Sequence, residues 1–163
     1  MPDRWVVNAS PLILLAKIGH LHLLTELADE LVVPEAVLDE VNVGPEDDPA
    51  RRFFVSTSLP TVAVTLDATI MAWDLGDGET AVLSYAGTHA GWTAIIDDGA
   101  ARRCARALAI PLLGTLGIIL RARQAGLIEA ATPLLQALKA AGIRLDDEVI
   151  RNALRAVSGE DWE

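Results

Sequence analysis

Short apolar runs that alternate with helical patterns restrict this chain more than any other feature. Trp5-Val6-Val7, Leu31-Val32-Val33, Thr93-Ala94-Ile95-Ile96 and Ile110-Pro111-Leu112-Leu113 are compact β-prone stretches. Residues 61–65 alternate enough to form another strand. Between these stretches apolar residues recur at helical spacing: Leu12, Leu15 and Ala16, then Val37, Leu38 and Val41, then Val82, Leu83 and Ala86. Strands separated by helices imply a parallel sheet. Runs that are apolar throughout, rather than alternating, imply cover on both faces. The expected fold is therefore a three-layer α/β/α domain with a central parallel sheet of four to five strands.

Local signals mark the element ends. Ser10 suits an N-cap and Pro11 a first helical residue, with Gly19 closing that helix. A short helix is expected over 21–28, another from Pro34 to about Val43, and a further one over 50–55. Residues 44–49 read as a loop. Gly76-Asp77-Gly78 is a turn that opens a helix from about Glu79 to His89, with Asp77 as its N-cap. A helix is expected over 100–109. From Thr115 onward the pattern is helical, broken near Gly126 and Gly142. Without a linker or repeat, the 163 residues read as a single domain with a helical C-terminal extension from about 129.

Composition excludes several classes. Hydrophobic residues make up 52% and charged residues 22%, enough for one core and too little charge for a disordered chain. No apolar run reaches the roughly 18 residues of a membrane span. The N-terminus lacks a leader pattern, so a cytoplasmic location is expected. A lone cysteine, Cys104, forms no internal disulfide and reads as a small buried hydrophobe. The net charge of −10 argues against a general nucleic-acid coating protein. A nucleic-acid substrate would require metal ions or a local basic patch, and a basic partner protein would also suit such a surface.

In open parallel sheets, ligands bind outside the carboxyl ends of the strands. The first strand runs into Asn8 and Ser10, and the strand over 93–96 into Asp97 and Asp98. Either aspartate also suits a plain helix cap, Asp98 especially. At 100° per residue, Glu79 falls within the apolar stripe of its helix, where a carboxylate needs a partner or a metal. A first-turn acid favoured by the helix dipole is the simpler alternative. Glu40 lies at the edge of an inward face, and Asp39 points away from it. Asn8, Glu40, Glu79 and Asp97 or Asp98 come from four elements and can converge. Gathered carboxylates repel, and a hard cation bound by oxygen, Mg²⁺ or Mn²⁺, resolves the repulsion. Zinc does not fit one cysteine and three scattered histidines. Arg102 and Arg106 share a helix face suited to RNA phosphates, or equally to a solvated face with local ion pairs. The tryptophans, without interleaved basic residues, read as packing or interface groups.

These segments resemble a known family. Val6 to Ile13 followed by Leu15 to Gly19 is similar to the opening of PIN-domain proteins. The resemblance is to the DUF3368-type branch, related to VapC-like toxins. Val33-Pro34-Glu35-Ala36-Val37-Leu38-Asp39-Glu40-Val41, Leu75-Gly76-Asp77-Gly78-Glu79-Thr80-Ala81 and Ile95-Ile96-Asp97-Asp98 through Arg102 resemble that branch's later motifs. The tail from Ala141 to Glu160 is similar as well. The resemblance implies a metal-dependent ribonuclease, often the toxin of a toxin–antitoxin pair. Its ligands would be Glu40, Glu79 and Asp97, with Asp98 as an alternate, and Ser10 would orient the first strand's end. Asn8 departs from the pattern, since most PIN nucleases carry aspartate there and an amide oxygen is a weaker ligand. Expected partners are RNA, a small antitoxin protein and a second copy of the chain. A degenerate PIN domain that binds RNA or protein without cutting is the alternative.

Overall fold

In a computed structural model that describes residues 2–56 and 59–163, five strands form one all-parallel sheet in the order β3-β2-β1-β4-β5. These are β1 (Arg4–Val7), β2 (Glu30–Pro34), β3 (Thr61–Val62), β4 (Trp92–Ile95) and β5 (Leu112–Leu113). Arg4 aligns with Glu30 on one side and with Trp92 on the other, so β1 is the centre of the sheet. Successive side chains of a strand point to opposite faces. Trp5, Val6 and Val7 are nonetheless all buried, so helices must cover both faces.

The helices are α1 (Ala9–Lys17), α2 (His22–Leu27), α3 (Glu35–Val43), α4 (Pro49–Ser56), α5 (Ala68–Met71), α6 (Asp77–Thr88), α7 (Gly99–Ala107), α8 (Thr115–Gln124), α9 (Thr132–Ala140) and α10 (Asp147–Val157). α6 packs across β1, β2 and β4, and its Val82 and Leu83 are fully buried. Leu135 and Leu138 of α9, and Ile150 and Leu154 of α10, join the same apolar core as the sheet. None of the helices is long and apolar enough to cross a membrane among the described residues.

Several boundaries differ from the sequence reading, each for a local reason. The third strand is two residues rather than 61–65. Its partner β2 ends at Pro34, opposite Val62, and turns into α3, which leaves nothing to pair with. The last strand starts at Leu112 rather than Ile110, because the Ile110 amide folds back onto the Ala105 carbonyl and closes α7. The four-residue helix α5 was not expected. Asp67 caps it by accepting from the amides of Thr69 and Ile70.

Two caps also shift. Gly76, not Asp77, is the N-cap of α6, and Asp77 is its first helical residue. Asn8, not Ser10, takes the extended N-cap conformation before α1, without a side-chain capping bond. The Asn8 amide donates to the Ile95 carbonyl at 3.0 Å and extends the β1–β4 ladder. The helix therefore starts two residues early, at Ala9 rather than Pro11, and the Ser10 hydroxyl is released for another partner.

Candidate active site

The chain passes from β1 to β2 and β3 on one side, then crosses to β4 and β5 on the other. The order reverses between β1 and β4, and the crevice outside their carboxyl ends is where such sheets bind ligands. Asn8 follows β1 there, and Asp97 lies just past β4.

One half of the crevice is built around Gly78, near the start of α6. Its amide donates to Oε1 of Glu40 at 2.9 Å, which ties α3 to α6. A methyl group at Gly78 would lie 2.6 Å from that oxygen and 2.9 Å from Oδ1 of Asn8, so both side chains converge on the bare glycine. Asn8 is only 2% exposed, and its Oδ1 is buried with no hydrogen-bond partner among the described residues. A buried orphan acceptor costs free energy unless something satisfies it. Glu40 is an exposed residue whose carboxyl end is desolvated, and this burial pushes its pKa up. The Gly78 amide works against that rise, and the negative charges of Glu79 and Asp77 reinforce it. Glu79 is half-buried, with its carboxylate folded back over Gly76.

The other half is built around Asp97. Thr115, fully buried at the first turn of α8, donates its amide to Oδ1 at 2.8 Å and its hydroxyl to Oδ2 at 2.6 Å. The Ser10 hydroxyl donates to the same Oδ2 at 3.3 Å. Nη1 of Arg102 donates to the Ile96 carbonyl at 3.2 Å. Burial lowers the Arg102 pKa, as does the positive charge of Arg106, while Asp97 opposes both. Asp98 is exposed and caps α7 by accepting from the Ala101 amide at 2.9 Å. Arg106 is exposed beside Arg102.

The structure thus brings Asn8 against Glu40, places Glu79 within electrostatic reach of Glu40, and joins Ser10 to Asp97. Among the described residues, no three carboxylate, imidazole or thiolate side chains gather closely enough to hold a metal. The local reasons are an amide at position 8, the Glu79 carboxylate turned over Gly76, and the Asp97 oxygens engaged by Thr115 and Ser10. The oxygen donors still suit a hard cation, because the orphaned Asn8 Oδ1 and the Glu40 carboxylate converge above the bare Gly78.

Sequence reasoning missed Thr115, Gly78 and Gly114. Thr115 lies just past the carboxyl end of β5, by the same rule that singled out Asn8 and Asp97. Gly78 and Gly114 serve close approach: a methyl group at Gly114 would lie 2.8 Å from Nη1 of Arg102 and 3.1 Å from Oδ1 of Asp97. A family model described as DUF3368, PIN domain, matches residues 4–159. No curated protein matches the chain.

Proposed function

This chain belongs to the PIN-domain family, and from that membership we propose that it is a metal-dependent endoribonuclease. The observation that carries the reading is the buried, unpartnered Oδ1 of Asn8 facing the Glu40 carboxylate. Asn8, Glu40, Glu79 and Asp97 would hold Mg²⁺ or Mn²⁺, which when bound would activate water and stabilise charge on the phosphate under attack. Asp98 is left to cap α7. Gly78 holds Glu40 in place through its amide, and Ser10 and Thr115 hold Asp97. Arg102 and Arg106 would receive RNA phosphates, which the chain's net charge of −10 otherwise repels. The acidic surface suits a small basic antitoxin, and the toxin role, the antitoxin and a homodimer belong to this same proposal.

The test is cleavage of RNA by the purified protein with Mn²⁺, and with a chelator. Cleavage in Mn²⁺ that stops with chelator, and that Glu40→Gln and Glu79→Gln abolish, is expected. A chelator-resistant activity, or wild-type rates in both variants, would refute the reading. A second reading, an RNA- or protein-binding module without cleavage, is favoured by the amide at position 8. RNA retention without cleavage would decide for it.

A further inference from the structure

A cavity of about 320 Å³ opens beside Asp97, between the β5–α8 junction and the turn from α9 to α10. This is the low end of the roughly 300–1,000 Å³ range of small-ligand sites. Asp97 and Arg102 line one part of it, and Leu113, Leu116 and Leu145 form apolar wall. Arg144 and Val149, both exposed, complete it. Two cations therefore flank an apolar hollow in a chain whose net charge is −10. Neither Arg102 nor Arg144 lies within 4.0 Å of a carboxylate oxygen among the described residues, although the charge of Asp97 acts on Arg102 from nearby. Arg102 is also partly desolvated, so an anion there would gain more than at an open surface arginine.

An anionic group joined to a flat ring, whose faces can lie against aliphatic side chains, matches this arrangement. Building on the ribonuclease reading, we propose that the cavity is a nucleotide subsite. It takes the base and ribose of the RNA residue next to the phosphate at Asp97, with Arg102 and Arg144 holding that residue's phosphate. The wall is aliphatic rather than aromatic, so the base packs against leucine side chains. Discrimination between bases then rests on size, and a bulkier side chain at exposed Val149, which lines the cavity, narrows it most against purines.

The probes are the four nucleoside 5′-monophosphates, which contain no scissile bond. Binding to wild type, Arg144→Ala and Val149→Trp is measured by calorimetry at millimolar Mn²⁺ and repeated in chelator. Both substituted residues are exposed, and a melt of each variant checks its fold. Wild type is expected to bind the pyrimidine nucleotides at least as well as the purines. Arg144→Ala should weaken all four about tenfold through the lost charged contact. Val149→Trp should weaken the purines more than the pyrimidines. Absence of nucleotide binding in both conditions, or equal affinities in folded variants, would overturn the proposal. Nucleotide binding that responds to both substitutions, in a protein that cuts no RNA, would keep the subsite and remove the ribonuclease reading. RNA cleavage with the same KM in all three proteins would do the reverse.

Discussion

Thr115 holds both carboxylate oxygens of Asp97, the amide on Oδ1 at 2.8 Å and the hydroxyl on Oδ2 at 2.6 Å. The two residues come from α8 and the end of β4. The two hydrogen bonds fix the rotamer of the acid at the switch point of the sheet. A hydrogen bond to a charged group contributes about 1.5–3 kcal/mol. Thr115→Val keeps the volume and the amide and loses the hydroxyl. Urea unfolding at neutral pH should show a loss of about 1–3 kcal/mol, and unchanged stability would mean that the hydroxyl is not bonded to Asp97.

Gly78→Ala separates stability from site geometry. Alanine is favoured over glycine in a helix by about 1 kcal/mol. Its methyl group would, however, collide with Glu40 and Asn8. Glu40 is flexible and exposed and gives way first, losing its bond to the Gly78 amide. The melting temperature should move little, while Mn²⁺-dependent stabilisation and RNA cleavage both fall about tenfold or more. Wild-type response to Mn²⁺ in this variant would show that Glu40 does not act from its observed position.

Asn8→Asp should act with opposite signs in the two metal states. Without metal it places a second carboxylate at a buried position beside Glu40, and a loss of about 1–3 kcal/mol is expected. With Mn²⁺ the charged oxygen is the better hard ligand, so affinity should rise. Paired melts with and without Mn²⁺ on both proteins read the two effects. Equal metal affinity would place Asn8 outside any metal site.

Glu160 provides a pH test away from the crevice. Burial opposes its charge, but the Ser158 hydroxyl and the amides of Thr132 and Ala131 bring its pKa down to about 2. Because the folded value lies below the unfolded one, its stabilisation is full above the ordinary glutamate pKa near 4.5. It is lost as pH falls from there toward about 2. Glu160→Gln should therefore cost about 1–3 kcal/mol at pH 7, and the difference from wild type should shrink below pH 4. A difference that stays constant with pH would show that the carboxylate charge plays no part.

The sheet was legible because its strands are apolar throughout, a pattern that parallel pairing under two helix layers demands. The ends of β3 and β5 were not, because they are set by where a partner strand stops and where a helix closes. Asn8 and Asp97 could be found because strand ends are readable. Helix phase puts Glu40 at the edge of an inward face, and in the structure its carboxylate accepts from the Gly78 amide. Its anchor, the Gly78 amide, carries no side-chain signal at all. Thr115 gives no signal of its own, because a threonine that opens a helix looks like an ordinary cap. Its role depends on an aspartate 18 positions earlier in the chain.

The central place of β1 has a consequence in time. Ser10 and Asp97, joined across the crevice, are 87 residues apart in the chain. At about 5–20 residues per second, a ribosome needs roughly 4–17 s to add that stretch. β1 can pair with β2 early, which leaves its other edge open and Asn8 without a neighbour on that side. The half of the crevice that depends on Asp97 appears only when β4 emerges and docks, and its grip by Thr115 comes later still. During synthesis the chain passes through a window of seconds in which β1 exists without the strand that completes its crevice.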